Sequence, residues 1–361
     1  MALCVALLCT GLCGCSEKGK KLYRFTDTYY DAFDTVISVI AYCESQKDFD
    51  ALSERVHSEF VRYHRLFDIY NEYDGLVNAA SLNKAAGSGL FVSVPEEIIE
   101  ILEFGKQVCE KTEGRVNIAM GAVLSLWHEA REYSTDHPDK AYVPSDEALK
   151  AASQHCRAED IIIDRSASAV RLSDPLMSMD LGAVAKGWAV EKIAQSLIAD
   201  GTISGTRGMA ISAGGNVRVI GPKDGNGGWT IAVQDPKDGA ASDDYADTLL
   251  LEDVSLVTSG VNQRYFNIGE SRFHHIIDPD TLYPREGFLS VTVLTEDSGL
   301  ADALSTALFN MSIEEGSALL EALRSGSQNI AGISVRTAEA LWIMPDGSMQ
   351  STSGYAAYRK K

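Results

Sequence analysis

The chain has 361 residues, 45% of them hydrophobic and 23% charged, with a formal net charge of -19. That composition is ordinary for a globular protein, and the length suits one large or two ordinary domains. The negative charge argues against nucleic acid, whose phosphates it would repel, so an anionic ligand would need a metal, a helix start or a few placed cations to reverse the field locally.

In chain order, residues 1–10 carry no charge, and Leu12-Cys13-Gly14-Cys15 and the polar Ser16-Glu17-Lys18 follow. This reads as an export signal over 1–14, although no Lys or Arg precedes the apolar core, which is too short to span a bilayer as a helix. The L-x-G-C ending resembles a bacterial lipoprotein signal. That resemblance implies cleavage before Cys15, acylation of its thiol and a protein working outside the cytoplasmic membrane on a lipid anchor. Residues 15–24 read as a tether, with the globular region over 25–361. Four of the seven cysteines (Cys4, Cys9, Cys13 and Cys15) belong to the signal. Cys43, Cys109 and Cys156 are too few and too scattered for a disulfide framework or a zinc site, and read as buried thiols.

A β-branched run over 35–43 predicts a strand. Phe49, Leu52, Val56, Phe60, Tyr63 and Phe67 recur at three and four, predicting a helix over 47–68. Pro95 opens a helix to about 112, another spans 122–133, a polar loop covers 134–144, and Ser145 caps a short helix to about 155. From Asp160 the texture becomes strand-rich. A hairpin is predicted over 161–163 and 169–172, then strands over 209–212, 217–220, 229–234, 248–251, 255–258, 272–277 and 289–294. A helix over 184–200 interrupts them. Helices at 299–310 and 313–324 and strands at 330–336 and 340–344 follow, with Asp346-Gly347 as a turn. No repeat is present, and the pattern is α+β rather than alternating βαβ.

Four motifs carry chemistry. Asp180-Leu181-Gly182-Ala183-Val184-Ala185-Lys186-Gly187 is a carboxylate entering a small-residue turn that opens a helix, whose amides favour an anion. Lys186 in that first turn is unfavourable to the helix and suggests a ligand partner; a plain packing turn is the bland alternative. Ser212-Ala213-Gly214-Gly215-Asn216 is a tight loop between strands, or an ordinary hairpin turn. In Phe273-His274-His275-Ile276-Ile277-Asp278-Pro279 the adjacent histidines on a strand face opposite sides, so at most one points into a given site. In Ala301-Asp302-Ala303-Leu304-Ser305-Thr306-Ala307, with Ser298 as the cap, Asp302 and Thr306 share a helix face. Their hard oxygens suit Mg²⁺ better than zinc, unless Asp302 merely complements the helix dipole.

Taken together and in this order, these motifs resemble the ApbE family of flavin transferases. So do Phe33-Asp34-Thr35, the run from Leu66 to Asn83, Gly114-Arg115-Val116-Asn117-Ile118-Ala119-Met120-Gly121 followed by Leu126-Trp127, and Thr258-Ser259-Gly260. The resemblance implies an ApbE-like, T-fold-related architecture of mixed or antiparallel sheets flanked by helices, with intertwined subdomains and an FAD site at their cleft. It implies transfer of FMN from FAD, the substrate, to a Thr or Ser hydroxyl of an extracytoplasmic redox protein, with Mg²⁺ as cofactor and AMP released. By resemblance, Asp180 and Lys186 contact the flavin nucleotide, as do Asn117, Ile118, Ala119 and Ile276, with Phe33 and Tyr70 near the ring. The Ala183 carbonyl, Asp302 and Thr306 match the metal ligands, and His275 matches the histidine of the transfer step. The chain departs from the family at Phe33-Asp34, at Asn117 and Ala119, and at Asn71-Glu72-Tyr73-Asp74. Two other readings use the same site: a metal-dependent FAD pyrophosphatase, and a lipoprotein that only binds FAD.

Overall fold

The computed structural model describes residues 21–203, 207–223, 227–237, 239–240 and 244–361; the signal and Cys15 lie outside them. In chain order the elements are β1 (Tyr23–Tyr29), β2 (Ile37–Cys43), α1 (Gln46–Phe67), α2 (Ala79–Lys84), β3 (Val92–Ser93), α3 (Glu96–Lys111), α4 (Gly121–Asp136) and α5 (Asp146–Ser153). Next come β4 (Ile161–Asp164), β5 (Ala169–Leu172), α6 (Ala185–Ala199), β6 (Met209–Ala213), β7 (Asn216–Ile220), β8 (Trp229–Gln234), β9 (Tyr245–Leu251) and β10 (Ser255–Gly260). The last are β11 (Tyr265–Ile268), β12 (Ser271–His274), β13 (Ser290–Thr295), α7 (Ser298–Phe309), α8 (Ile313–Arg324), β14 (Ala338–Ile343) and β15 (Met349–Ser351).

An antiparallel sheet ordered β1-β2-β6-β7-β10-β13-β14-β15 is the frame. Its centre is covered on both faces, so β13 and β14 are buried at every position, the polar Ser290, Thr292, Thr295 and Glu339 included. One face packs on α1, α6, α7 and α8, with Phe49, Phe60, Trp188, Leu304 and Phe309 in the main core. The other face carries Tyr42, Trp229, Leu341 and Tyr355 beneath the β8–β9 ribbon. A third apolar cluster joins α4 and α5 to the β11–β12 ribbon through Trp127, Phe266, Phe273 and Ile277.

The local chemistry sets the helix ends. Ser45 caps α1 through the Asp48 N–H, and Ser312 and Glu315 form a reciprocal capping box on α8. The cap of α7 is Asp297, which accepts the Leu300 N–H, and not Ser298.

Other expectations are corrected too. Tyr23 and Arg24 are not tether but the start of edge strand β1. Helix α4 continues through 134–136 into the expected loop. The strand expected at 272–277 stops at His274 and pairs with the unforeseen β11. No strand forms at 330–336; Ala331 and Gly332 take left-handed φ of 54° and 74°, which breaks an extended ladder and leaves a single bridge between Ile330 and Ile333. The Asp346-Gly347 turn leads into β15.

Candidate active site

The site is built where helix starts and strand ends converge on one cleft of about 880 Å³ between the main body and the third cluster. Gly214 and Gly215, with φ of 54° and 86°, turn β6 into β7 in two residues, and Gly214 forms part of the wall. The Asp180 turn is fixed by its own side chain, which accepts the Gly182 N–H at 2.7 Å, and by the Asp180 N–H donating to the Ile118 carbonyl at 2.9 Å. Helix α6 then begins, with Lys186 in its first turn.

The junction of α6 and α7 holds the chemistry. Every residue of α7 is buried except Thr306, which opens onto the cleft beside Asp302. The Asp302 carboxylate accepts the Gly187 N–H at 2.8 Å and lies 3.8 Å from the Lys186 ammonium. Gly187 is in the first turn of α6, where an N–H has no acceptor within the helix, and Asp302 supplies one. The Ala183 carbonyl, one residue before the helix cap, meets no backbone donor among the described residues and lies on the cleft wall. A side chain on Gly187 would run into the Ser298 carbonyl, Asp302 and Asn216, so only glycine permits this crossing. Burial raises the Asp302 carboxyl above its usual range, opposed by the Lys186 charge, and burial likewise raises Asp180.

These residues fit a divalent cation. A carboxylate, a hydroxyl and an unclaimed main-chain carbonyl are hard oxygen donors for Mg²⁺. Among the described residues no group of three or more His, Cys, Asp or Glu could hold a metal, so an ion here would rely on few protein ligands and keep positions for other oxygens.

His275 lies at the open end of the β11–β12 ribbon. Its Nδ1 is 3.2 Å from the Arg264 carbonyl, which can only accept, so Nδ1 carries the proton and Nε2 holds the lone pair. The residue is exposed on the cleft that it lines. Desolvation first, then the charges of Arg264, His274 and Lys186, push its pKa down to about 3. His274 also borders the cleft, contrary to the alternation expected of a continuous strand, because β12 ends there. Both its nitrogens are engaged: Nε2 donates to the Arg285 carbonyl at 2.9 Å and Nδ1 accepts the Ile276 N–H at 3.2 Å.

Of the other expected residues, Tyr70, Asn117, Ile118, Asp180, Ala183, Lys186 and Ile276 line the same cleft. Tyr70 is exposed and stacks on His128 at 5.0 Å. The Asn117 side chain is engaged internally, donating to the Cys156 carbonyl and accepting the Ala119 N–H. Ala119 is fully buried and off the wall. Phe33 is also off it: with φ of 57° its ring meets Phe60 and His64 edge-on, and Asp34, with φ of 48°, faces the cleft instead.

Sequence reading missed Arg115, Arg131 and Arg264, cations that line the cleft of an acidic chain. Leu124, His128, Arg131 and Thr135 recur at helical spacing along the cleft face of α4, a signal that was available.

A family model described as the ApbE family matches residues 33–331. The chain is 32% identical over 289 residues to the FAD:protein FMN transferase of Treponema pallidum, spanning 76% of this chain and 73% of that one. It is 30% identical over 272 residues to the like-named protein of Klebsiella pneumoniae, spanning 75% and 79%. Among solved structures, the ApbE protein of Thermotoga maritima superposes with a TM-score of 0.77 at 27% identity, over 94% of this chain and 100% of that one. The flavin transferase ApbE of Vibrio cholerae does so at 0.72, with 23% identity over 94% and 99%, a likeness of fold.

Proposed function

The chain belongs to the ApbE family, and on that footing we propose that it is a Mg²⁺-dependent FAD:protein FMN transferase that moves FMN from FAD to a Thr or Ser hydroxyl of a protein outside the cytoplasm and releases AMP. The observation that carries this reading is the Ala183 carbonyl. It lies just before the start of α6, meets no backbone donor among the described residues, and shares one cleft with Asp302, Thr306, Lys186 and the Nε2 lone pair of His275.

The Ala183 carbonyl, Asp302 and Thr306 would hold the cation, which when bound neutralises pyrophosphate charge and polarises phosphorus. The chain's own groups do the rest. Lys186 adds a point charge at the phosphate end of the cleft, and the exposed ring of Tyr70 offers a face for stacking the flavin. His275 takes the proton of the acceptor hydroxyl on Nε2 while the Arg264 carbonyl holds its Nδ1–H in place. The hydroxyl oxygen bonds to the FMN-side phosphorus and the bond to the AMP oxygen breaks. A pyrophosphate dianion and a neutral alcohol become a phosphodiester monoanion, an AMP dianion and an imidazolium.

A base with so low a pKa in the empty cleft is a weak one. The dianionic substrate would offset the part of that shift due to Arg264 and Lys186, leaving the larger part due to burial. The signal ending at Cys15 supports a lipid anchor and an acceptor on the same side of the membrane.

The test is incubation with FAD, Mg²⁺ and an exported flavin-free redox protein. Covalent flavin fluorescence on the acceptor, with AMP in equal amount, is expected. FMN and AMP formed equally with and without acceptor would make it a pyrophosphatase, and retained FAD with no product would make it a carrier.

A further inference from the structure

We propose that Arg264 is a catalytic residue: its guanidinium receives the pyrophosphate oxygens of FAD and the charge that builds on them during transfer. This rests on the functional reading above and adds a member to its machinery.

Three observations carry it. First, the other cations on the cleft wall have counter-ions. Arg115 meets Asp280 at 2.5 Å, Arg131 meets Glu132 at 3.0 Å and Lys186 faces Asp302 at 3.8 Å. The Arg264 guanidinium, on the same wall, meets no carboxylate or carbonyl among the described residues. In a chain of net charge -19, a cation left unpaired inside a concave site is an unfilled demand for an anion.

Second, the position is set by backbone pairing rather than by a free loop. The β11–β12 register pairs Tyr265 with His274, and one step further puts Arg264 opposite His275, whose N–H donates to the Arg264 carbonyl at 3.1 Å. Directly opposed residues of an antiparallel pair project to one face, with Cβ atoms about 5 Å apart. The residue whose carbonyl fixes the imidazole tautomer therefore carries its own side chain out beside that imidazole.

Third, the charge of Arg264 is felt at His275, at Asp180 and at Tyr70, groups on different walls of the cleft. All four residues line the one cleft.

The chemistry suits an arginine. As the P–O bond to AMP lengthens, negative charge grows on the leaving oxygen and persists on the equatorial oxygens. A planar guanidinium donates two parallel N–H groups to such a pair. The hydroxyl proton goes to His275, and Arg264 stays charged throughout.

The experiment uses the full chain with Mg²⁺, FAD and the acceptor, comparing the parent with Arg264→Ala and Arg264→Lys. FAD affinity is read from flavin fluorescence, kcat from flavinylated acceptor, and folding from thermal melts. The expected result is a kcat lower by roughly 10²–10³-fold in Arg264→Ala, the range for losing a donor to developing charge. FAD dissociation constants should rise too, because the guanidinium also meets the ground-state dianion, but by less than kcat falls, since charge grows mainly in the transition state. Arg264→Lys should be intermediate, and millimolar guanidinium should restore part of the Arg264→Ala rate where NaCl of equal ionic strength does not. An unchanged kcat, a loss confined to FAD affinity, or a folded Arg264→Ala that guanidinium does not rescue would each overturn the assignment. If Arg264→Ala does not fold, Arg264→Lys at the parental kcat overturns it. A parent chain that transfers no flavin defeats the functional reading, and this proposal with it; transfer by the parent with indifferent variants defeats the Arg264 role alone.

Discussion

His275 carries one proton on Nδ1 because the group it meets there is a carbonyl, which can only accept. Its Nε2 lone pair is the one basic atom the mechanism needs. His275→Ala should keep FAD affinity within a few-fold and lower transfer by about 10²–10⁴-fold, the range for losing a general base. Parallel loss of binding and transfer would make His275 a substrate contact instead. Asp302 has a double duty: it offers a carboxylate, and it satisfies the first-turn Gly187 N–H of α6. Asp302→Ala should abolish turnover and Mg²⁺ binding measured by calorimetry, because the one carboxylate among the proposed ligands is lost. Parental activity at limiting Mg²⁺ would reject the ligand role. The pairing of Asp302 with Thr306 was legible from helical spacing, as was the carboxylate-glycine turn at Asp180. The bond from the Gly187 N–H to Asp302 was not, because it joins residues 115 positions apart.

The α6–α7 junction is the element that aligns these residues. Glu191 on α6 accepts the Ser298 N–H at the start of α7 at 2.9 Å, lies 3.3 Å from buried Arg218, and is joined through Ser298 to Asn216 on β7. Gly187 lets the two helices cross. Gly187→Ala must displace α7, since the two nearest atoms it meets are the Ser298 carbonyl oxygen and the Asp302 Cβ, neither of which can swing away. It should cost about 1–3 kcal/mol in a urea melt, the usual penalty of overpacking, and lower turnover well beyond that loss. A stable, active Gly187→Ala variant would show that the crossing has slack. Most helices and strands were legible from periodicity and caps, as at α1, α5 and α8. Strand β11 was not: it is four residues long with Phe266 as its one buried position, too short to show a period, and with β11 unseen the pairing of Arg264 with His275 was invisible.

At the scale of the molecule, charge and burial govern the pH response. His274 is buried neutral with both nitrogens bonded, and desolvation pushes its pKa from 6.5 down to about 4. The unfolded chain therefore binds the extra proton first as pH falls. The stability tied to neutral His274 is complete above pH 6.5 and is lost on descending towards pH 4, at most about 3 kcal/mol. Urea melts should show a shallower pH slope over that window in His274→Gln; identical slopes would place the acid sensitivity elsewhere.

An acidic chain must also make room for a dinucleotide dianion, and the account assigns most of that task to a cation held by Ala183, Asp302 and Thr306. The most direct measurement is FAD affinity with Mg²⁺ and after chelation, in the parent and in Asp302→Ala. The account predicts that chelation weakens FAD binding by roughly tenfold or more in the parent, since a coupling of 1.4 kcal/mol suffices for that factor, and leaves Asp302→Ala unmoved. Equal FAD affinity of the parent with and without chelator would contradict it.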